Sequence, residues 1–320
     1  MEIVIWSIIL IVLLLVIVSV VVAEYFFRAV IIRKIYIPET ESYYEDINSF
    51  MHQKFIKERR EWLYSQNIRN IFIKSYDGLS LHATLLENSH SSLRTVICFH
   101  GYTGTGIVDF GSMAKFYYEK GFNVLLIDER AHGQSEGKYI GFGILDRNDA
   151  LKWIEYVIKK FGKDSEIFLH GISMGGATVL MTGGLMLPKN VKGIIDDCGF
   201  TSVYEIFSHI LKKDYNIPEF PVMFLTEHIT KRRAGYGYKD VNTVDVLKKI
   251  TVPVLFIHGE IDDFVPLWMS EKNYEACVAE KNFFVVKGAD HAESYYIDTE
   301  GYEAAVSEFT DKYSELADSR

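Results

Sequence analysis

EIFLHGISMGG, residues 166–176, is a short apolar segment that stops on a serine set between glycines. Gly171-Ile172-Ser173-Met174-Gly175 fits G-x-S-x-G, the nucleophile elbow, in which a strand reverses directly into a helix. So sharp a reversal forces the serine into a strained backbone conformation, tolerated only where near neighbours lack a Cβ. The following GATVLMTGGLM, residues 176–186, is small and apolar enough to form a buried helix. The N–H groups at the start of that helix would face the serine and favour negative charge there. Five residues alone fit a plain strand-to-helix turn equally well, so the flanking sequence has to decide.

Apolar runs recur on both sides of this stretch: TVICFH from Thr95, NVLLIDER from Asn123, VKGIIDDCG from Val191, PVLFIHG from Pro253 and NFFVVKG from Asn282. Helical patterns separate them at residues 110–120, 145–160, 174–185, 268–278 and 302–316. Such alternation predicts an α/β fold, a mostly parallel sheet with helices on both faces. Upstream, IFIKSYDGLSLHATLLEN carries two alternating runs around Asp77-Gly78, a hairpin signal that places the start of the domain at Ile71. Near the end, Tyr302, Val306, Phe309, Tyr313 and Leu316 recur at helical spacing, the stripe of a helix packed on the sheet. Between residues 200 and 249 the alternation breaks into an aromatic, partly basic stretch. It reads as an inserted cap over the site, or else as an irregular surface excursion.

Composition narrows the class. With 320 residues, 48% of them hydrophobic and 24% charged, the chain can bury one large α/β domain beside a terminal segment. A net charge of −9 leaves no basic stripe to displace counterions from phosphates, which argues against nucleic acid as a partner. Cys98, Cys198 and Cys277 are odd in number and widely spaced, giving neither a disulfide framework nor a zinc pattern. That usage fits a reducing compartment.

Residues 3–23 are apolar except for Ser7 and Ser19, and at ~1.5 Å per residue they span roughly 30 Å, one bilayer core. The competing reading is a cleaved signal peptide, with Val21 and Ala23 before Glu24 as its cleavage site. Glu2 in place of a basic residue, and the length of the run, favour an uncleaved single-pass anchor in the cell membrane. Arg28, Arg33 and Lys34 follow the span, so the positive-inside rule places the bulk of the chain in the cytoplasm. Residues 38–70 turn charged and aromatic, ending in HQKFIKERREWLYSQNIRN. That segment suits an amphipathic helix at the headgroups, or a helix packed on the domain's own surface. The expected organisation is an anchor at 1–24, a juxtamembrane helical segment at 25–70, and a catalytic domain at 71–320 with its cap at about 200–249.

The loops after the apolar runs hold the chemistry: His100-Gly101-Tyr102-Thr103-Gly104, then Ser173, then residues 259–266 (GEIDDFVP), then Lys287-Gly288-Ala289-Asp290-His291. On these motifs the chain, from about Ile71 onward, resembles the α/β-hydrolase superfamily, whose order is Ser, then acid, then His. It is most similar to the serine-aminopeptidase-like branch of bacterial, membrane-anchored serine hydrolases, a sequence grouping that does not itself establish peptidase activity. Residues 128–135 (DERAHGQS) also look like a structural loop of that superfamily. The resemblance implies Ser173 as nucleophile, Asp262 as acid, His291 as base, and the backbone N–H groups of Tyr102 and Met174 as oxyanion donors, with no metal or cofactor.

Residue chemistry runs beside the resemblance. A serine is a poor nucleophile until an imidazole takes its proton. Of ten histidines, only His291 lies both beyond the candidate acid and in a loop after the final strand. His100, His170 and His258 each sit beside a glycine at a strand end, where a structural role is expected. For the acid, Asp263 and Asp197 stand as rivals to Asp262, while Asp290 is too close to His291 in sequence to bridge its far nitrogen. Tyr102 serves either as a backbone donor or as a wall of the acyl pocket. Dehalogenases and epoxide hydrolases of this fold carry Asp at the elbow, so Ser173 disfavours them. The function expected is a membrane-anchored serine hydrolase that cleaves carboxylic esters through an acyl-serine. Its partner is a small acyl substrate, and the anchor together with apolar cap residues such as Phe207, Ile210, Met223 and Phe224 suits a lipid-like one. A serine peptidase is the enzymatic rival, and a catalytically silent, membrane-tethered binding module is the rival from another class.

Overall fold

The computed structural model describes residues 1–34 and 52–316, so the part of the juxtamembrane segment at 35–51 lies outside the described residues. Helix α1 (Glu2–Phe26) continues through a π turn at Phe27–Ile31. It is long and apolar enough to cross a membrane, and no side chain of residues 1–18 is covered by protein.

Helix α2 (Gln53–Tyr64) buries Ile56, Arg60 and Leu63, one face at helical spacing. The Arg60 guanidinium donates to the Val108 carbonyl. Of the two readings of this segment, the structure takes the helix packed on the domain's own surface.

Strands β1 (Ile68–Lys74) and β2 (Ser80–Leu86) form the expected hairpin around Gly78, whose φ is +94°. It begins three residues before Ile71. There follow β3 (Arg94–Phe99), α3 (Gly106–Phe110), α4 (Ala114–Glu119), β4 (Asn123–Ile127), α5 (Asp146–Phe161), β5 (Glu166–Ile172), α6 (Met174–Thr182) and β6 (Val191–Asp197). After an insertion come β7 (Val254–Gly259), α10 (Leu267–Ala276), β8 (Lys281–Val286), α11 (Ser294–Ile297) and α12 (Thr299–Tyr313). The eight strands form one sheet in the order β1-β2-β4-β3-β5-β6-β7-β8, antiparallel at β1–β2 and β2–β4 and parallel elsewhere. This is the α/β-hydrolase architecture.

Alternation along the strands feeds two cores. From β3, Val96 and Cys98 face one side with Phe116, Tyr117, Val306 and Phe309, while Ile97 and Phe99 face the other with Trp153, Ile154, Val179 and Leu180. Burial on both faces is why these strands read as continuous apolar runs.

The insertion between β6 and β7 is helical: α7 (Val203–Tyr215), α8 (Glu219–Ala234) and α9 (Thr243–Leu247). Of these, α8 escapes a sequence reading because it lacks an apolar stripe and its first turn is broken at Phe220, before Pro221.

Candidate active site

Four loops at the carboxyl ends of β3, β5, β7 and β8 meet above the sheet, where parallel α/β folds gather their ligands. Ser173 directly follows β5 and caps α6 with φ 55° and ψ −113°, a conformation costly for a residue with a Cβ. Space explains its neighbours: a Cβ on Gly171 would lie 2.1 Å from the Gly175 carbonyl oxygen, and one on Gly175 would lie 1.9 Å from that of Phe99. The Ser173 N–H donates to the Asp197 carbonyl at 2.8 Å, tying the elbow to β6.

Ser173 Oγ lies 2.9 Å from His291 Nε2, and His291 Nδ1 lies 2.7 Å from Asp262 Oδ2. The other carboxylate oxygen, Oδ1, accepts the N–H groups of Phe264 and Val265 at 3.0 and 2.9 Å. Burial opposes ionisation of Asp262, but hydrogen bonds from His258 and His291 outweigh it and hold the carboxyl far below the usual carboxylate range. An ionised Asp262 fixes the proton of His291 on Nδ1 and leaves Nε2 to accept from Ser173. The rival acids face elsewhere. Asp263 pairs with Lys213 of the inserted helix α7 at 2.7 Å, Asp197 accepts from Tyr302 at 2.9 Å, and Asp290 accepts the N–H of His291 at 2.7 Å.

The loop after β3 lies against the elbow, since a Cβ on Gly101 would sit 3.4 Å from Ser173 Cβ. Three side chains pin it. Asp109 accepts the Gly101 N–H at 2.6 Å, His100 Nδ1–H donates to the Gly101 carbonyl at 2.7 Å, and His132 Nε2 accepts the Thr103 N–H at 3.3 Å. Burial, together with the nearby His100, pushes His132 down to about 3, so its ring stays neutral and Nε2 stays an acceptor. Tyr102 stands between these tethers, its ring stacked on Phe142 with centroids 5.4 Å apart. Met174 opens α6, where an N–H has no acceptor within the helix. The positioning role of Asp109 leaves no trace in the sequence because it is made by the folding of the loop after β3, whereas His258, whose Nε2 lies 3.3 Å from Asp262 Oδ2, stands four residues before that acid, and this short spacing is the available signal. For His132, the similarity of residues 128–135 to a structural loop is the available signal.

Beneath the elbow runs a buried polar chain: Tyr117 O–H to His170 Nδ1 at 2.7 Å, His170 Nε2–H to the Tyr302 oxygen at 2.9 Å, and Tyr302 O–H to Asp197. Beside it, Asp196 is fully buried, and burial first, with the neighbouring Asp197, pushes its carboxyl up to about 7. A raised folded-state pKa means stability that is complete below the unfolded value near 3.8 and is lost as pH climbs through 7. Asp196→Asn should therefore gain on wild type by about 4 kcal/mol between pH 4 and pH 8, at 1.36 kcal/mol per pKa unit. Urea midpoints of both proteins across that range check it.

Among the described residues, Cys198, Asp262 and His291 bring a thiol, a carboxylate and an imidazole nitrogen within 4.8 Å of one another, a set that could hold a metal ion. Two of the three are already hydrogen-bonded to each other, so a metal there would displace the bond that orients His291.

Comparison with known proteins agrees with this fold. Residues 109–314 match the model of the prolyl oligopeptidase family. The Bacillus subtilis protein YqkD is 31% identical over 226 residues, covering 71% of this chain and 74% of the relative. Mouse alpha/beta hydrolase domain-containing protein 17C is 26% identical over 246 residues, covering 74% of this chain and 67% of the relative. Among solved structures, the Pyrococcus furiosus esterase Pf2001 superposes with a TM-score of 0.67 at 20% identity, covering 89% of this chain and 97% of that one. Est1E from Butyrivibrio proteoclasticus, with ferulic acid bound, superposes with a TM-score of 0.57 at 21% identity, covering 76% and 98%. Likeness at this identity speaks to the fold, and the family match spans most of the catalytic unit. On that match the chain belongs to the prolyl oligopeptidase family, within the α/β-hydrolase superfamily.

Proposed function

We propose that this protein is a membrane-anchored serine hydrolase that cleaves carboxylic esters through an acyl-Ser173 intermediate. The observation that carries the reading is the unbroken path from the hydroxyl of Ser173 through the imidazole of His291 to the carboxylate of Asp262. In this scheme Ser173 attacks the ester carbonyl while His291 Nε2 takes its proton and returns it to the leaving alcohol. Water, activated by the same nitrogen, then releases the acid. Asp262 holds the tautomer and stabilises the imidazolium. The N–H groups of Tyr102 and Met174 receive the oxyanion, each donor of this kind being worth ~3–4 kcal/mol of barrier.

Residues 1–24 act as the anchor, with the bulk of the chain, including the catalytic domain and its cap at about 200–249, in the cytoplasm. Support comes from an apolar helix whose residues 2–18 are all exposed, a surface that water does not favour. The basic residues Arg28, Arg33 and Lys34 that follow it support the orientation.

A fluorophosphonate probe applied to the full-length protein should label Ser173, and failure to label folded protein would favour a binding module. The family match makes peptide bonds the direct alternative. Aryl esters of increasing chain length, compared with aminoacyl amides, separate the two, and preferential turnover of the amides would overturn the ester assignment.

A further inference from the structure

We infer that the substrate is an ester whose acyl chain stays embedded in the bilayer during hydrolysis, because the membrane helix is built into the catalytic domain instead of being tethered to it. This rests on the anchor and hydrolase readings above. Ala23, Phe27 and Ile31, spaced four apart on one helix face, are 0%, 1% and 0% exposed. Beyond them the chain joins the domain by backbone pairing: Ile32 bridges Tyr139, the Ile31 carbonyl accepts from Ile140 at 2.8 Å, and the Arg33 N–H donates to Lys138 at 2.9 Å. The Arg33 guanidinium holds the Gly133 carbonyl at 2.7 Å and also the Ser135 carbonyl. On the cap side, Arg233 pairs with Glu24 at 2.8 Å and lies over the Phe27 ring. No slack separates the span from the fold.

The same contacts reach the site. Tyr102 Oη donates to the Ala29 and Val30 carbonyls, both at 3.3 Å, and Tyr102 directly follows Gly101, the residue against Ser173. From Ala23 to Val30 the helix advances about 10 Å at 1.5 Å per residue, so the loop beside the nucleophile sits close under the headgroups. Val22, Phe26, Phe27, Val30 and Ile31 pack in one hydrophobic cluster with Met174, the residue after Ser173, so the side of the site toward the span is apolar. An ester whose acyl chain stays in the leaflet therefore meets a hydroxyl held at fixed height beside an apolar, membrane-facing end of the site.

The test uses the full-length protein in phosphatidylcholine vesicles with two probes, water-soluble 4-nitrophenyl butyrate and vesicle-embedded 4-methylumbelliferyl palmitate. A flexible spacer of about ten Gly/Ser residues between Ala23 and Glu24 leaves the docked residues 24–33 in place but frees the span by roughly 17 Å. The spacer should leave butyrate turnover within about two-fold of wild type and lower palmitate turnover at least about ten-fold. Unchanged palmitate turnover overturns the inference. Wild type needs no variant for a second check: embedded palmitate in vesicles that hold the protein should turn over at least about ten-fold faster than in added protein-free vesicles, and equal rates overturn it. Loss of butyrate turnover in wild type would instead sink the hydrolase reading, and release of wild type by alkaline carbonate would sink the anchor. Either result takes the inference with it.

Discussion

Asp262→Asn is expected to lower kcat for an activated aryl ester about 10⁴-fold with little change in the fold, the loss seen when a triad carboxylate becomes an amide. The structure says why the amide cannot adapt. Oδ1 of Asp262 accepts two backbone N–H groups, from Phe264 and Val265, so the carbonyl of an introduced asparagine must take that place. Its NH₂ then faces His291 Nδ1, which must become an acceptor, and the imidazole proton moves to Nε2, opposite a serine hydroxyl that needs an acceptor there. His258 closes the other escape. Its Nδ1 lies 2.7 Å from the Ser270 hydroxyl and its Nε2 lies 2.7 Å from the Val265 carbonyl, so Nε2 carries the proton, and that N–H also points at Asp262 Oδ2. An NH₂ in that position meets a second donor. Single-turnover kinetics with 4-nitrophenyl esters, together with the tautomer read from imidazole ¹⁵N shifts, checks both halves. Activity near wild type would mean that Asp262 does not orient the base.

Ser173→Ala should remove turnover on the order of 10⁶-fold and abolish the fluorophosphonate adduct, since the other triad members act only through that oxygen. Stability separates this variant from Ser173→Gly. Alanine keeps the Cβ and with it the cost of φ 55° and ψ −113°, whereas glycine relieves ~1–3 kcal/mol of strain. Allowing for glycine's looser unfolded chain, Ser173→Gly should be more stable than wild type by about 1 kcal/mol and just as inactive as Ser173→Ala. Denaturant midpoints for the three proteins decide it, and a glycine variant no more stable than the alanine one would mean that the elbow stores no usable strain.

Much of the sheet is legible in one dimension because its strands are buried on both faces and its helices bury only one. The runs from Thr95, Asn123, Val191, Pro253 and Asn282 each became strands within three residues of the expected limits. The helix expected at residues 110–120 is the shorter α4, which starts only after a turn that follows the end of α3 at Phe110. Side-chain roles follow a different rule. Ser173, Asp262 and His291 stand out since each ends an apolar run in a loop rich in glycine or turn residues, and the structure brings those three loops together. Asp109 and Arg33 do not stand out. The first is one acid inside a short helix, and the second is a basic residue after an apolar span whose partners lie 100 and 102 residues away. Nothing local distinguishes a charge that will cap a distant carbonyl from one that will be solvated.

The docking of residues 23–33 also changes what proteolysis would accomplish. A cut anywhere between residues 35 and 51 severs the covalent link but leaves the Ile32–Tyr139 pairing, the Arg33 clamp on Gly133 and the Arg233–Glu24 ion pair intact. With residues 1–24 as the proposed anchor, the nicked halves would remain one particle on the bilayer, so shedding the enzyme would take an unpeeling step as well as a scission.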